Sequence, residues 1–288
     1  MSDIRSILLH VDASPNSARR LALAQAVAAQ HGALVTALYA SAPTALSLPL
    51  AMAQSPADML PMLQQLDIDY RDEAKARVAR AGSSGQSPIQ WRELGGGALA
   101  AGFAAHALCC DLLVLGQPDP ADALTVGVPA GFVESVLLAS GKPGLVLPCV
   151  GSWASFGQAV LIAWNATRES AHAVSAAMPF LRRAARIHLV VAEGCELADQ
   201  HSAQPRAAEP RAELEDYLRL HGVEAPIERH PRLALASAGA AILSLAGGVG
   251  ADLLVMGCYG HGRAREWVMG GASRTALASM TLPVLMAH

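Results

Sequence analysis

The sequence predicts an α/β protein built from two similar, doubly wound domains, each with a parallel sheet. Three observations support this prediction: an internal repeat, short apolar runs without alternation, and helix-starting signals between those runs. The repeat is clearest where CDLLVLG at residues 110–116 returns as ADLLVMG at residues 251–257, with five of seven positions identical. A repeat separated by 141 residues indicates a duplicated domain rather than a short solenoid unit.

The predicted strands are continuous apolar runs, which are typical of parallel strands buried on both faces. The first run of the N-terminal half, residues 7–11, is followed by Asp12, and the first run of the C-terminal half, residues 160–164, is followed by Asn165. In the C-terminal half, Thr167 then provides a helix-capping signal. In doubly wound sheets the ligand lies outside the carboxyl ends of the strands. The candidate functional positions at strand ends are therefore Asp12, Gly116, Asn165 and Gly257.

The repeat places the two domains at residues 1–150 and 156–288. Two segments rich in Pro, Ala and Ser, residues 40–61 and 194–210, lie between the repeated units and are expected to be surface insertions. The first of them is expected to act as a mobile flap.

Composition excludes several classes of protein. Hydrophobic residues make up 52% of the 288 residues, so the chain can bury a large core. The net charge of −3 and the aromatic content of 4% argue against nucleic-acid binding. No signal sequence is evident, and the uncharged stretch at residues 233–251 predicts a buried helix rather than a membrane span, so a cytoplasmic location is expected. The five cysteines lack zinc spacing and the ten histidines are scattered, so no metal site is expected.

A glycine-rich loop follows the strand predicted at residues 253–256. It begins at Gly257, contains Gly260, and leads to Gly270 and Gly271 ahead of a helix predicted over residues 273–279. Free N–H groups at a helix start, together with the helix dipole, make a cradle for anions such as a polyphosphate. The equally open alternative is a tight turn, with a glycine where the helix packs on the sheet.

The spacing Gly257-x2-Gly260-x9-Gly270 is similar to the glycine signature of the universal stress protein family. Residues 162–170 and 281–286 also resemble the start and end of that family's domain. The resemblance covers nearly the whole chain as a tandem pair. It implies two five-stranded, adenine nucleotide alpha-hydrolase-like domains and, in one branch of the family, binding of ATP or another adenine nucleotide, with Mg²⁺ as a companion ion.

The resemblance further implies a non-catalytic sensor or regulatory module of the stress response with an unidentified protein partner. The terminal strands at residues 145–147 and 284–286 would pair or pack so that one chain forms a pseudo-dimer. A homodimer of the tandem chain is left open.

Carried over by position, the family's adenine and ribose contacts fall on Ala163, Asn165 and Ala192. The phosphate contacts fall on Met256, Gly257, Gly260, Gly270, Gly271, Ala272 and Ser273. Two positions depart from the pattern, because Asn165 replaces the usual Asp and Gly271 the usual Ser or Thr. A lost hydrogen bond costs about 1–3 kcal/mol, so we expect the site to be weakened rather than abolished. Ser273 and Arg274 could partly compensate.

The N-terminal half departs further from the signature. It retains Asp12, but Gly116 is followed by Pro118 and Pro120, which lack N–H donors, and by Asp119, which would repel phosphate. This half is therefore not expected to bind a nucleotide, and Asp12 is expected to cap a helix or form a turn.

Two alternatives to a nucleotide-binding module stay open. One is a ligand-free scaffold, and the other is a slow ATP hydrolase, although no catalytic residue is indicated near the glycine loop. Three residues in or near the site also have two interpretations. Cys258 is either a reactive thiol or an inert turn residue, His261 either an anion contact or a solvated loop residue, and His172 a surface or interdomain residue.

Overall fold

The computed structural model describes residues 4–47, 59–83, 87–119, 127–151, 156–191, 210–233, 238–258 and 266–288. The chain divides into two compact units, Ile4–Lys142 and the described residues from Pro143 onward. We call them the N-terminal unit and the C-terminal unit. Half of residues 40–61, the segment predicted to act as a flap, and nearly all of residues 194–210 lie outside the described residues.

The N-terminal unit alternates strands and helices around a parallel sheet with the strand order β3-β2-β1-β4. Its elements are β1 (Ser6–Val11), α1 (Asn16–His31), β2 (Leu34–Tyr39), a 3₁₀ turn (Thr44–Ser47), α2 (Met59–Ser83), β3 (Ile89–Glu93), α3 (Leu99–Ala107), β4 (Leu112–Gly116) and α4 (Phe132–Ser140). The central strands β1 and β4 are buried almost throughout, which explains their unbroken apolar runs.

The C-terminal unit repeats this plan and gains one strand from the preceding sequence. Its elements are β5 (Gly144–Leu147), β6 (Ala159–Trp164), α5 (Arg168–Leu181), β7 (Arg186–Val191), α6 (Pro210–Leu220), β8 (Ile227–Arg229), α7 (Ala238–Gly248), β9 (Leu253–Gly257), α8 (Glu266–Ser279) and β10 (Val284–Ala287). Its strand order is β5-β10-β9-β6-β7-β8. The predicted pairing of the two terminal strands is present, because β5 and β10 form an antiparallel pair with Leu145 opposite Leu285.

The repeated aspartate explains part of the sequence duplication. Asp111 accepts hydrogen bonds from the backbone N–H groups of Arg5 and Ser6 at the start of β1. In the C-terminal unit, Asp252 accepts equivalent bonds from Gln158 and Ala159 at the start of β6. Each carboxylate therefore satisfies N–H groups where a central strand enters its sheet.

Two helix predictions are confirmed. Helix α5 begins with a capping box in which the Thr167 side chain accepts from the Ser170 N–H and the Ser170 side chain accepts from the Thr167 N–H. The uncharged stretch at residues 233–251 contains the short helix α7, which ends before a glycine turn at Gly250. In the part of the chain that the structure describes, no helix is long and apolar enough to cross a membrane.

The start of the last helix differs from the prediction. Helix α8 begins at Glu266, whereas the sequence pattern predicted a start at residue 273. The reason is packing against α7: a Cβ added at Gly239 would lie 2.7 Å from Cβ of Thr275 and 3.0 Å from Cα of Ala272. The two helices thus approach closely enough for the tertiary contact to outweigh the low helix propensity of two consecutive glycines.

Candidate functional site

The carboxyl ends of β6 and β9 bring four of the predicted site residues together. Ala163 is the in-register partner of Met256 on the adjacent parallel strand, and Gly257 and Asn165 follow within two residues. Met256 is buried, whereas Ala163 and Asn165 are half-buried. The strand ends therefore present small and polar side chains that a ligand can reach.

Asn165 is held in position by the loop between β6 and α5. Its Oδ1 accepts a hydrogen bond of 2.8 Å from the hydroxyl of Thr167, and Ala166 has a positive φ of 52°. A non-glycine residue rarely adopts this left-handed conformation, so the loop is tightly constrained. Among the described residues, the amide nitrogen of Asn165 has no hydrogen-bond partner, so both of its N–H groups are available to a ligand.

Gly257 has a packing role that the sequence prediction had left as an alternative. A Cβ at this position would lie 2.6 Å from N of Ser170 and 2.7 Å from the carbonyl carbon of Glu169. Because both atoms belong to the backbone, the start of α5 cannot shift away easily. Glycine is therefore required here for the helix to approach the end of β9.

The phosphate part of the predicted site changes with the start of α8. Within an α-helix that begins at Glu266, the N–H groups of Gly270 and Gly271 donate to carbonyl groups one turn earlier. Ser273 is buried and, with Ala272 and Arg274, lies about two turns into the helix. The expectation that these residues open the helix is therefore wrong. Ala192, Gly260 and His261 lie outside the described residues.

Cys258 follows Gly257 and is buried. Burial, with a smaller contribution from the Glu169 carboxylate, raises the pKa of the Cys258 thiol to about 12. The thiol is therefore protonated near neutral pH and inert.

His172 is half-buried, and its Nδ1 lies 2.9 Å from the carbonyl oxygen of His288 in the same unit.

The equivalent position in the N-terminal unit is filled by protein. His10, the fifth residue of β1 as Ala163 is of β6, is buried with its ring centroid 5.6 Å from that of Phe103 and 4.7 Å from that of Phe132. Its Nε2 lies 2.9 Å from the carbonyl oxygen of Ala40. Burial lowers the pKa of His10 to about 4, with Arg20 acting in the same direction and Asp12 opposing.

Asp12 is closed off by two partners. Its Oδ1 accepts bonds of 3.0 and 2.6 Å from the backbone N–H and hydroxyl of Ser14, as expected of a turn-forming carboxylate. Its Oδ2 lies 2.7 Å from a guanidinium nitrogen of Arg20. Burial would raise the pKa of Asp12, but Arg20, His10 and the Ser14 hydrogen bonds outweigh it and hold the pKa below its usual value.

Arg20 also occupies the space at the end of β4. Its Nε donates to the carbonyl oxygen of His10 at 3.1 Å, and its Cδ would lie 2.9 Å from a Cβ added at Gly116. Arg20 lies eight positions after Asp12. The residue eight positions after Asn165 is Ala173, which carries no guanidinium group. The strand-end cleft is therefore filled in the N-terminal unit.

The structure also brings together a group of potential metal ligands that was not predicted from the sequence. His188, Glu228 and His230 place their ligand atoms within 4.8 Å of one another in the C-terminal unit. Burial lowers the pKa of His188, as do His230 and Arg186, whereas Glu228 opposes them. The signal in the sequence was the Glu-x-His spacing on a strand, which places both side chains on one face.

The fold and site define a two-domain α/β protein with partly exposed strand ends in its C-terminal unit and protein-filled strand ends in its N-terminal unit. Residues 158–288 match the model of the Universal stress protein family. The C-terminal unit is therefore similar to the universal stress protein family, as the glycine spacing had indicated.

Whole-chain structural matches show the same fold over both halves. A universal stress protein from Archaeoglobus fulgidus DSM 4304 is similar over 98% of this chain and 95% of that chain, with 16% identity and a TM-score of 0.66. A functionally unknown protein from Pseudomonas aeruginosa PAO1 is similar over 99% of this chain and 92% of that chain, with 17% identity and a TM-score of 0.59. No curated protein matches the sequence.

Proposed function

We propose that this protein is a non-catalytic regulatory module of the stress response that binds ATP or another adenine nucleotide in its C-terminal unit only. One observation supports this most directly, the contrast between the equivalent strand ends. Ala163 and Asn165 are accessible, while His10 and Asp12 are buried and bonded to protein. Duplicated domains that differ at this position are expected to differ in ligand binding.

The proposed contacts follow from the side chains at these strand ends. The small side chain of Ala163 leaves room for a flat base against the end of β6. The amide nitrogen of Asn165, which donates to no atom of the described residues, can donate to ribose hydroxyls. We propose that the phosphates lie toward the first backbone N–H groups of α8, because the N–H groups of Gly270 and Gly271 are used inside the helix. Met256 and Gly257 then form the floor of the cleft.

The proposal assigns Mg²⁺ to the nucleotide rather than to the protein. Among the described residues near these strand ends, the carboxylate of Glu169 is buried and paired with Arg168 at 3.4 Å. It offers neither an accessible ligand for Mg²⁺ nor a base for an attacking water. This favours a binding module over an ATP hydrolase. We also propose a cytoplasmic location and a protein partner that distinguishes the nucleotide-bound state.

Isothermal titration calorimetry with ATP, with and without Mg²⁺, tests the proposal. We expect one site per chain, with affinity weakened about 5- to 150-fold by Asn165→Ala, which removes one hydrogen bond of about 1–3 kcal/mol. Ala163→Leu, which fills the cleft, should abolish binding. Gln90→Ala, at an exposed position of β3 in the N-terminal unit, is the matched control and should bind as the wild type does.

Two results would reject the proposal. Absence of saturable binding at millimolar ATP would indicate the ligand-free scaffold. Binding that Ala163→Leu leaves unchanged would place the nucleotide elsewhere.

A further inference from the structure

Three side chains that can bind metals converge at the β7–β8 edge of the C-terminal unit. His188 on β7 is in register with Glu228 on β8, and His230 follows two residues later. Side chains alternate between faces along a strand, so all three project from the same face of the sheet. His230 continues the strand pairing, because its N–H donates to the carbonyl oxygen of Leu189 at 2.9 Å.

The two distances from His188 to the other side chains are close to those between ligands around one ion. Nδ1 of His188 lies 3.1 Å from Nε2 of His230 and 3.4 Å from Oε2 of Glu228. Two ligands bound tetrahedrally to zinc at about 2.1 Å are separated by about 3.4 Å. A small displacement of the His230 ring would therefore let one ion reach all three atoms.

The opposite face of the sheet holds β8 in place. Arg229 lies between Glu228 and His230 in sequence and forms a bidentate pair with Glu215 of α6, with N···O distances of 2.6 and 2.8 Å. Arg211, also on α6, donates to the carbonyl oxygen of His230 at 2.9 Å. The backbone that carries Glu228 and His230 is thus fixed before any ion binds.

Burial indicates how the ion would be coordinated. His188 is 4% exposed, His230 is half-buried and Glu228 is exposed, so the site opens toward solvent on the side of the carboxylate. Two imidazoles and one carboxylate are a ligand set typical of zinc sites that keep a water molecule in the fourth position. The imidazoles favour Zn²⁺ or Co²⁺ over Mg²⁺, which prefers oxygen ligands.

The N-terminal unit provides an internal comparison. Its β2 and β3 pair in the same register, and the equivalent residues are Thr36, Gln90 and Arg92. None of these three side chains is a good zinc ligand, and Arg92 would repel a cation. The ligand set is therefore specific to the C-terminal unit and is not required by the fold.

We propose that His188, Glu228 and His230 bind one divalent ion of the zinc class, with water completing a tetrahedral shell. The site is separate from the proposed nucleotide cleft, because it lies on the outer strands of the sheet rather than at the ends of β6 and β9.

The test is titration of the metal-free protein with Zn²⁺ by calorimetry, together with Co²⁺ absorption spectroscopy. We expect one Zn²⁺ site per chain and the intense visible bands of four-coordinate Co²⁺ without a thiolate charge-transfer band. Glu228→Gln and His230→Gln should each weaken Zn²⁺ binding at least about tenfold. Glu228 is exposed, so its substitution should leave the fold intact.

A control variant sharpens the test. His106→Gln removes an exposed histidine of the N-terminal unit and should leave Zn²⁺ affinity unchanged. Wild-type Zn²⁺ affinity in both Glu228→Gln and His230→Gln would overturn the proposal, as would a six-coordinate or thiolate Co²⁺ spectrum.

Discussion

His10 makes the N-terminal unit sensitive to acid. Its imidazole is 2% exposed, packs against Phe103 and Phe132, and has a pKa lowered to about 4 by burial. The unfolded chain binds a proton at the same residue near pH 6.5. Between these two values the unfolded state holds more protons, so stability falls as the pH is lowered.

The size of the effect follows from the difference between the two pKa values. A shift from 6.5 to about 4 corresponds to about 3 kcal/mol, at 1.36 kcal/mol for each pKa unit. This stability is fully present above pH 6.5 and is lost as the pH falls through 4. Because domains of this size are stable by only about 5–15 kcal/mol, the loss should be easily measurable.

Two measurements test this prediction. The Hε1 resonance of His10 should titrate near pH 4. The urea concentration at the unfolding midpoint should fall as the pH is lowered from 7.5 to 4. His188 contributes in the same direction, so the informative quantity is the difference between variants. His10→Gln should flatten the pH dependence, while the exposed control His106→Gln should retain it. Titration of His10 near 6.5, or an unchanged slope in His10→Gln, would refute the reasoning.

Three further substitutions have expected outcomes. Gly257→Ala should destabilise the C-terminal unit by about 1–3 kcal/mol in urea unfolding, since its Cβ would press on backbone atoms of Ser170, and a neutral result would contradict the packing role. Gly271→Ala should stabilise it by about 0.5–1 kcal/mol, because the added Cβ meets no atom within 4 Å. Glu215→Gln should raise amide hydrogen exchange in β8 by releasing Arg229, and unchanged protection would show that this pair does not hold the strand.

The sequence predicted local features of the fold well. The order of elements, the strand ends at Asn165 and Gly257, and the cap at Thr167 were all evident, because each depends on residues close together in the chain. The internal duplication in the sequence predicted the similarity of the two units. Asp111 and Asp252, which lie in the repeated segment, make the same backbone contacts in the two units.

Features that depend on tertiary contacts were not predictable from the pattern. Nothing local shows that Gly239 lets α7 pack against α8, which extends α8 through Gly270 and Gly271. Likewise, His188 and Glu228 are 40 residues apart, and only the register of β7 with β8 joins them. Sequence spacing reveals metal ligands when they share one element, and here only two of the three do.

The two units show how one fold can separate stability from binding. In the N-terminal unit, Arg20 neutralises Asp12 and lies over Gly116, so the strand ends serve as a polar core. In the C-terminal unit the equivalent residue is Ala173, and the strand end at Asn165 stays accessible. A single exchange would not convert one unit into the other, because a buried guanidinium without its carboxylate is strongly unfavourable. The filled and accessible ends are therefore each maintained by several residues together, which is the expected result when duplicated domains diverge to different roles.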